Sequence, residues 1–244
     1  MAADGRRHVL AIGGIRLGDD AGRAPGRVPA MLAFAGSLTG KPAPRICVIN
    51  TASGDDPAGY LRMQDALSTT SWQVSRLALF PMPTVADPED LLLSADLIFV
   101  GGGSVANMVA VWRVHGVDRI LHRAWQAGIV LAGVSAGAIC WFGGGTTDSF
   151  GPDLRPFADG LGMLPGSYCP HYDSESRRAP LFRSLVADGT LPPGIACDDG
   201  AAAHVIDDDL AEIVADRPGA GGYLVDRAAD GAATQTALPV RQIG

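Results

Sequence analysis

A regular alternation of short apolar runs with stretches long enough for a helix limits how this chain can fold more than any other feature of its sequence. Two of the intervening stretches, residues 29–37 and 57–67, carry apolar residues at three- and four-residue spacing, as amphipathic helices do. Such alternation is typical of βαβ units and predicts an α/β fold with a mostly parallel sheet flanked by helices. The predicted strands are residues 9–12, 45–50, 72–79, 96–100 and 129–133.

The C-terminal third has a different pattern. A helix is predicted at residues 176–188, and the short apolar runs after it are separated by Gly or Asp turns, which predicts antiparallel strands that extend the sheet. Residues 143–166 are rich in Gly, Pro and Asp without periodicity and predict a long surface connection, and residues 18–29 predict a loop. The predicted C-terminal strands are residues 195–197, 202–206, 211–215, 222–225 and 234–237.

Length and charge narrow the classes of protein that this chain can represent. Because α/β folds of 244 residues commonly remain undivided, residues 1–244 are expected to form a single domain. The net charge of −7 repels phosphate backbones and anionic lipid, which argues against nucleic-acid and membrane partners. The same field opposes acidic substrates, so a preference for them would require a local cationic pocket. The sequence leaves open whether the chain forms a homodimer.

The N-terminus and the cysteines indicate a cytoplasmic protein. The first seven residues are polar, and the apolar run that follows is too short for a signal peptide or a membrane span. The cysteines contain no C-x-x-C pair, which favours buried, reduced thiols over disulfides or a zinc site. They are Cys47, Cys140, Cys169 and Cys197.

The strongest local signal is Gly133-Val134-Ser135-Ala136-Gly137, which follows a predicted buried strand and precedes a helix-like run. Small residues two before and two after the serine allow the backbone to turn sharply, so that the hydroxyl is exposed at the end of the strand. This context predicts Ser135 as a nucleophile. The alternative is that the glycines only ease a crowded turn.

A second glycine-rich segment, Gly101-Gly102-Gly103, also follows a predicted buried strand. Bare backbone N–H groups in such a loop can stabilise a developing oxyanion. We therefore expect the N–H groups of Gly102 or Gly103, with that of Ala136, to form an oxyanion hole. A phosphate-binding loop or a simple turn are the alternatives, although the segment lacks the Lys-Ser/Thr ending of a P-loop.

A serine nucleophile needs a base and an acid that orients it. Among five histidines, His171 is best placed, because it follows the loop-rich segment and precedes a helix, where a strand end would bring it to the same sheet edge. His115 and His122 are expected on a helix surface, and His8 and His204 in structural positions. For the acid, Asp198 and Asp199 at a turn are the leading pair, and Asp148 and Asp153 are alternatives.

Taken together, the Ser135 segment, Gly101-Gly102-Gly103-Ser104 with Asn107, His171-Tyr172 and Asp198-Asp199-Gly200 resemble the peptidase E family of serine peptidases. The resemblance spans residues 96–205 and extends to cyanophycinase and, more distantly, to class I glutamine amidotransferase domains. It implies a flavodoxin-like sheet and hydrolysis of short peptides, with N-terminal aspartyl dipeptides as the best-known substrates.

Carried over to this chain, the resemblance implies Ser135 as the nucleophile, His171 as the base, and Gly102 and Ala136 as oxyanion donors. Relatives usually carry Glu where this chain has Asp199, and the acid could instead follow the nucleophile, as Asp148 does. No metal or organic cofactor is needed for this chemistry.

Substrate choice is less constrained by the sequence. An acidic side chain before the scissile bond calls for a bidentate arginine, and Arg177 and Arg178 lie in the matching helix region, although a solvated helix face explains them equally well. An esterase, a β-aspartyl or cyanophycin-type hydrolase on the same scaffold, and a catalytically silent module that binds an anionic small molecule are the alternatives.

Overall fold

The computed structural model describes residues 2, 4–15 and 28–243, so most of the predicted loop at residues 18–29 lies outside the described residues. The helices are α1 (Ala30–Ser37), α2 (Pro57–Leu67), α3 (Pro88–Leu93), α4 (Val105–His115), α5 (Val117–Gln126), α6 (Ala136–Ile139) and α7 (Arg178–Ala187). The strands are β1 (His8–Ile12), β2 (Arg45–Ile49), β3 (Gln73–Leu77), β4 (Leu97–Val100), β5 (Val130–Val134), β6 (Gly145–Thr147), β7 (Arg155–Phe157), β8 (Ser167–Cys169), β9 (Gly194–Cys197), β10 (Ala201–Ile206), β11 (Asp209–Ala215), β12 (Gly222–Arg227), β13 (Ala233–Ala237) and β14 (Val240–Gln242).

The central sheet has the strand order β14-β11-β10-β1-β5-β4-β2-β3. The five strands from β1 to β3 in this order pair in parallel, whereas β10 runs antiparallel to β1 and β11. The predicted fold class, a mostly parallel sheet flanked by helices with antiparallel strands in the C-terminal third, is therefore confirmed. All five predicted N-terminal strands are present.

Helices cover both faces of the central sheet. Apolar residues of α1 and α2, such as Met31 and Met63, pack with Leu10, Ile46 and Phe99 on one face. The other face is covered by α3, α4 and α5. Because β1, β4 and most of β2 and β5 are buried on both faces, their sequences are continuous apolar runs rather than alternating ones.

A second sheet, with the order β13-β12-β9-β8-β6-β7, corrects two predictions. The C-terminal strands do not all extend the central sheet, because β9, β12 and β13 belong to the second one. Residues 143–166 are not only a surface connection, since they contain β6 and β7. Glycine suggested a loop there, but Gly144 and Gly145 are buried where a Cβ would overlap the carbonyl oxygens of Phe157 and Tyr168. Close strand packing therefore requires glycine at these positions.

The second sheet is fixed to the central one beside the ends of β1 and β5. The Tyr168 hydroxyl in β8 donates a 2.8 Å hydrogen bond to the Ala11 carbonyl in β1. His171 follows β8, so it comes from the second sheet and not, as predicted, from a strand of the same sheet as Ser135. The two sheets thus bring Ser135 and His171 together from different layers.

Other expectations concern residues away from this junction. All four cysteines are free and buried, as predicted. His115 and His122 are exposed, whereas His8 and His204 are buried and contact each other at 3.0 Å. Among the described residues, no helix is both long enough and apolar enough to cross a bilayer.

Candidate active site

Ser135 lies in a sharp turn between β5 and α6. Its φ of 56° and ψ of −116° are values that non-glycine residues rarely adopt. The turn requires glycine on both sides of Ser135, because a Cβ at Gly133 would overlap the Gly137 carbonyl oxygen and a Cβ at Gly137 would overlap the Val100 carbonyl oxygen. The Ser135 N–H donates to the Ile12 carbonyl at 3.1 Å. These constraints hold the half-buried hydroxyl at the carboxyl end of the strand.

The Ser135 hydroxyl contacts an imidazole that is itself held by a carboxylate. His171 Nε2 lies 2.9 Å from Ser135 Oγ, and His171 Nδ1 lies 2.7 Å from Asp199 Oδ1. His171 also has a positive φ of 53°. The hydrogen bond from His171 lowers the pKa of Asp199 below its usual value, against the effect of partial burial. An ionised Asp199 selects the Nδ1–H tautomer, which leaves Nε2 free to accept a proton.

The other candidate acids lie elsewhere. Asp198 is buried and accepts hydrogen bonds from the Gly221 N–H at 2.8 Å and the Tyr223 hydroxyl at 3.3 Å, and burial raises the pKa of Asp198. Within the described residues, Asp148 lines the cleft without a hydrogen bond to His171. Asp153 is exposed and pairs with Arg177. Of these four acids, the structure brings only Asp199 to the imidazole.

Sequence reasoning missed three residues that hold Asp199 in place. The Asp199 N–H donates to Asp173 Oδ1 at 2.9 Å, and Arg217 Nε donates to the Asp199 carbonyl at 2.8 Å. The Arg217 guanidinium also pairs with Asp173. On the opposite side, a Cβ at Gly14 would overlap Asp199 Oδ1 and lie 3.0 Å from His171 Nδ1. The Gly13-Gly14 pair directly after a buried strand was the only available signal for this packing.

The glycine loop after β4 lies against Ser135. A Cβ added to Gly102 would be 3.3 Å from the Ser135 Cβ and 3.8 Å from its Oγ. Gly103 has a φ of 134°, a conformation that favours glycine. In the described parts of the chain, the N–H groups of Gly102, Gly103 and Ala136 have no protein acceptor. These three donors are thus available to a ligand beside Ser135.

A cleft of about 300 Å³ opens over Ser135 and His171. Arg178 lines it and is buried, but its Nε donates to Glu175 Oε2 at 2.8 Å and its Nη1 donates to the Thr146 carbonyl. Arg177 is exposed, pairs with Asp153, and is not among the residues that line this cleft. The residues lining the cleft are Gly103, Ser104, Ser135, Asp148, Ser149, His171, Glu175 and Arg178.

Sequence comparison assigns the chain to a family. A profile of peptidase family S51 matches residues 24–213. This chain belongs to peptidase family S51. The resemblance to the peptidase E family is thereby confirmed, and membership identifies the chain as a peptidase.

Among the residues that the structure describes, no group of three or more His, Cys, Asp or Glu side chains could hold a metal ion.

Two curated relatives of this S51 peptidase are also named as peptidases. It is 43% identical over 201 residues to the uncharacterized peptidase YgaJ of Bacillus subtilis, an alignment that covers 82% of this chain and 86% of the relative. It is 32% identical over 125 residues to peptidase E of Shewanella denitrificans, with 48% and 53% of the two chains covered.

A solved structure supports the fold of this S51 peptidase. A peptidase from an acI-B1 actinobacterium superposes with a TM-score of 0.66 at 16% identity, over 96% of each chain. At this identity the similarity establishes the architecture alone.

Proposed function

We propose that this S51 peptidase is a serine-type dipeptidase that hydrolyses short peptides through an acyl-enzyme, with Ser135, His171 and Asp199 as its catalytic residues. The observation that carries the proposal is the unbroken line of hydrogen bonds from Asp199 through His171 to Ser135, at 2.7 and 2.9 Å. Family membership supports peptide hydrolysis. The resemblance to the peptidase E family supports short peptides as the substrates.

In the first half-reaction His171 Nε2 accepts the Ser135 proton while Oγ attacks the scissile carbonyl carbon. The carbonyl oxygen becomes an oxyanion and accepts hydrogen bonds from the N–H groups of Ala136 and of Gly102 or Gly103. When the tetrahedral intermediate collapses, the C–N bond breaks and protonated His171 donates its proton to the leaving nitrogen. Ser135 is left as an ester.

In the second half-reaction water attacks the ester carbonyl and His171 Nε2 accepts a proton from that water. The C–Oγ bond then breaks, and the proton returns from His171 to Ser135. Throughout, Asp199 accepts the Nδ1–H hydrogen bond and stabilises the imidazolium without taking its proton.

Hydrolysis of a peptide panel tests this proposal. The panel contains Asp-Xaa dipeptides, neutral dipeptides, tripeptides, β-aspartyl dipeptides and short acyl esters, so that an esterase or a β-aspartyl hydrolase would be recognised. We expect dipeptides to be the best substrates and Ser135→Ala to reduce kcat by at least about a thousandfold. Ser149→Ala is the matched control, because Ser149 lines the same cleft but bonds to Thr147 at 2.7 Å and not to an imidazole.

Undiminished hydrolysis by a folded Ser135→Ala protein would contradict the proposal. Ligand binding without turnover of any panel member would instead favour the silent binding module. Circular dichroism and thermal melting of both variants establish that each retains the native fold.

A further inference from the structure

Four side chains form a hydrogen-bonded cluster where β1, β10 and β11 lie side by side. His8 Nδ1 lies 3.0 Å from His204 Nε2. The outer nitrogens of the two rings face carboxylates: His8 Nε2 lies 2.9 Å from Asp4 Oδ1, and His204 Nδ1 lies 3.1 Å from Glu212 Oε1. We call Asp4, His8, His204 and Glu212 the histidine-pair cluster. It lies at the start of β1, whereas Ser135 bonds to the end of that strand.

The strands hold the two imidazoles in position for these bonds. His8 and His204 are only 5% and 4% exposed, and their rings lie within 18° of parallel with centroids 5.3 Å apart, so the facing nitrogens meet edge to edge. Glu212 is the direct neighbour of His204 across the β10–β11 pair, and Phe34 of α1 packs edge-on against His204. Because water has little access to these buried nitrogens, each of them needs a protein partner.

The number of protons in the cluster follows from the hydrogen-bonding capacity of its members. An ionised carboxylate only accepts, and a neutral imidazole has one N–H and one acceptor nitrogen. The three contacts from Asp4 to Glu212 therefore need three N–H groups, but two neutral imidazoles supply only two. A neutral pair leaves one contact with two lone pairs facing each other. One extra proton on the pair completes all three bonds.

Both carboxylates are held in the ionised form, so the extra proton belongs to an imidazole. Arg6 Nε donates to Asp4 Oδ2 at 2.9 Å. Arg241 donates to both oxygens of Glu212, at 2.7 and 2.8 Å. The hydrogen bonds with His8 and with the Arg6 N–H lower the pKa of Asp4 below its usual value. The bonds from Arg241 lower the pKa of Glu212 to about 2.

Of the two imidazoles, His8 is the better place for the extra proton. Burial lowers the pKa of His204, against the effect of its bond to Glu212. Charged His8 then donates from both ring nitrogens, while neutral His204 donates from Nδ1 to Glu212 and accepts at Nε2. Arg7, which precedes His8, is occupied by Asp207 at 3.1 Å.

We infer that His8 and His204 together hold one extra proton at neutral pH and that this proton stabilises the folded chain. The pair does not take a second proton, because a fourth N–H would set two donors against each other at the 3.0 Å contact. It therefore binds one proton over a wide range of pH. This inference does not depend on the proposed function, because the cluster contains no residue of the active site.

The stability of the protein then has a particular dependence on pH. In the unfolded chain each imidazole has a pKa of about 6.5, so the two together bind about one proton at that pH. Above this pH the folded chain binds more protons than the unfolded chain, and stability falls as the pH rises. Below it the unfolded chain binds more, and stability falls as the pH falls. The unfolding constant should therefore rise by up to about sixfold between pH 7 and pH 8, whereas a neutral pair gives the opposite slope.

Urea titrations from pH 6 to pH 8.5 test this dependence on the native protein and Asp4→Asn. The Asn amide can donate to His8 Nε2, so two neutral imidazoles complete the bonds in the variant without an extra proton. We expect the native unfolding constant to rise by about three- to tenfold relative to that of Asp4→Asn between pH 7 and pH 8. The control is Asp230→Asn, which removes an exposed carboxylate between β12 and β13 and should keep a constant ratio to the native protein. A constant ratio for Asp4→Asn would overturn the inference.

Nuclear magnetic resonance counts the protons directly in the native protein. Long-range proton–nitrogen spectra at pH 7.5 distinguish protonated from unprotonated ring nitrogens. The signals of the other histidines are assigned from their loss in His115→Gln, His122→Gln and His171→Gln. We expect three protonated nitrogens among the four of His8 and His204, and two in Asp4→Asn. Two in the native protein would overturn the inference, whatever the hydrolytic activity of the chain.

Discussion

Gly14 sets the position of the acid in the candidate triad. The carboxylate of Asp199 and the Nδ1 side of His171 pack directly against the Gly14 Cα, where any side chain would overlap Asp199 Oδ1. Gly14 also accepts a hydrogen bond from the Gly200 N–H at 2.8 Å, which fixes the turn that carries Asp199. The triad therefore depends on a residue with no functional group.

The change Gly14→Ala should displace Asp199 from His171 and lower kcat by about a hundredfold, because a misplacement of about 1 Å can cost that much. Steady-state kinetics on a dipeptide substrate measure the effect. Gly143→Ala is a suitable control, since its added Cβ would meet only Gly166 O, at 3.3 Å. A Gly14→Ala protein with native kcat would show that the Asp199 contact is unimportant.

How far the sequence predicts the site differs from residue to residue. Ser135, His171 and the glycine loop are identifiable because each lies in a local pattern that its chemistry requires. The choice of Asp199 over Asp198 is not local, because Asp198 instead bonds to Gly221 and Tyr223, and only this surrounding packing decides which carboxylate meets His171. Arg217 and Asp173 contact Asp199 from segments distant in sequence, and no motif marks them.

Among the elements, an ion pair between the turns after β8 and β11 also holds the turn after β9. Asp173 and Arg217 bond to the N–H and the carbonyl of Asp199, respectively, and to each other. The loop that carries His171 is thereby tied to the loop that carries Asp199. This arrangement fixes the two turns relative to each other.

Substitution Arg217→Met should reduce kcat by about tenfold with little change in KM, since the residue acts on the position of Asp199 and not on the substrate. Initial rates measured over a range of dipeptide concentrations up to saturation separate the two parameters. Arg241→Met provides the comparison, because it removes a similarly exposed ion pair, with Glu212, far from the site. A rise in KM at constant kcat would instead indicate that Arg217 contacts the substrate.

Some strands can be located from the pattern of their own residues, and others cannot. The strands β1, β2, β4 and β5 of the central sheet are buried apolar runs, so their positions follow from the sequence. β6, β7 and β8 have three residues each, too few to show alternation, and two of them lie in a glycine-rich segment. The division of the C-terminal strands between two sheets depends on tertiary pairing, which a strand's own residues do not encode.

At the scale of the whole molecule, Asp96 links the central sheet to its flanking loops. Its carboxylate accepts hydrogen bonds from the Arg45 N–H at 2.9 Å and from Lys41 Nζ at 2.7 Å, and the side chain is only 3% exposed. Burial alone would raise the pKa of Asp96, but these bonds and the Arg45 guanidinium lower it to about 2. The folded state thus favours ionised Asp96 more than the unfolded chain does.

Because the folded pKa lies below the unfolded value, this stabilisation is complete above about pH 4 and is lost as the pH falls through about 2. Asp96→Asn should therefore lower the free energy of unfolding by roughly 2 kcal/mol at pH 7, and the difference should shrink on acidification. Urea titrations between pH 3 and pH 7 measure it. The control is Asp65→Asn, an exposed residue of α2. If the native and Asp96→Asn proteins differed in free energy of unfolding by the same amount at every pH, the assigned ionisation of Asp96 would be contradicted.

The proposed function requires Ser135 to form a covalent bond with the carbonyl carbon of the substrate. Reaction with a peptidyl diphenyl phosphonate, followed by intact-mass measurement and peptide mapping, tests it directly. We expect one phosphonyl group per chain, attached to Ser135 and absent from the Ser135→Ala protein. Modification at another residue such as Ser149, or equal modification of the Ser135→Ala protein, would contradict it.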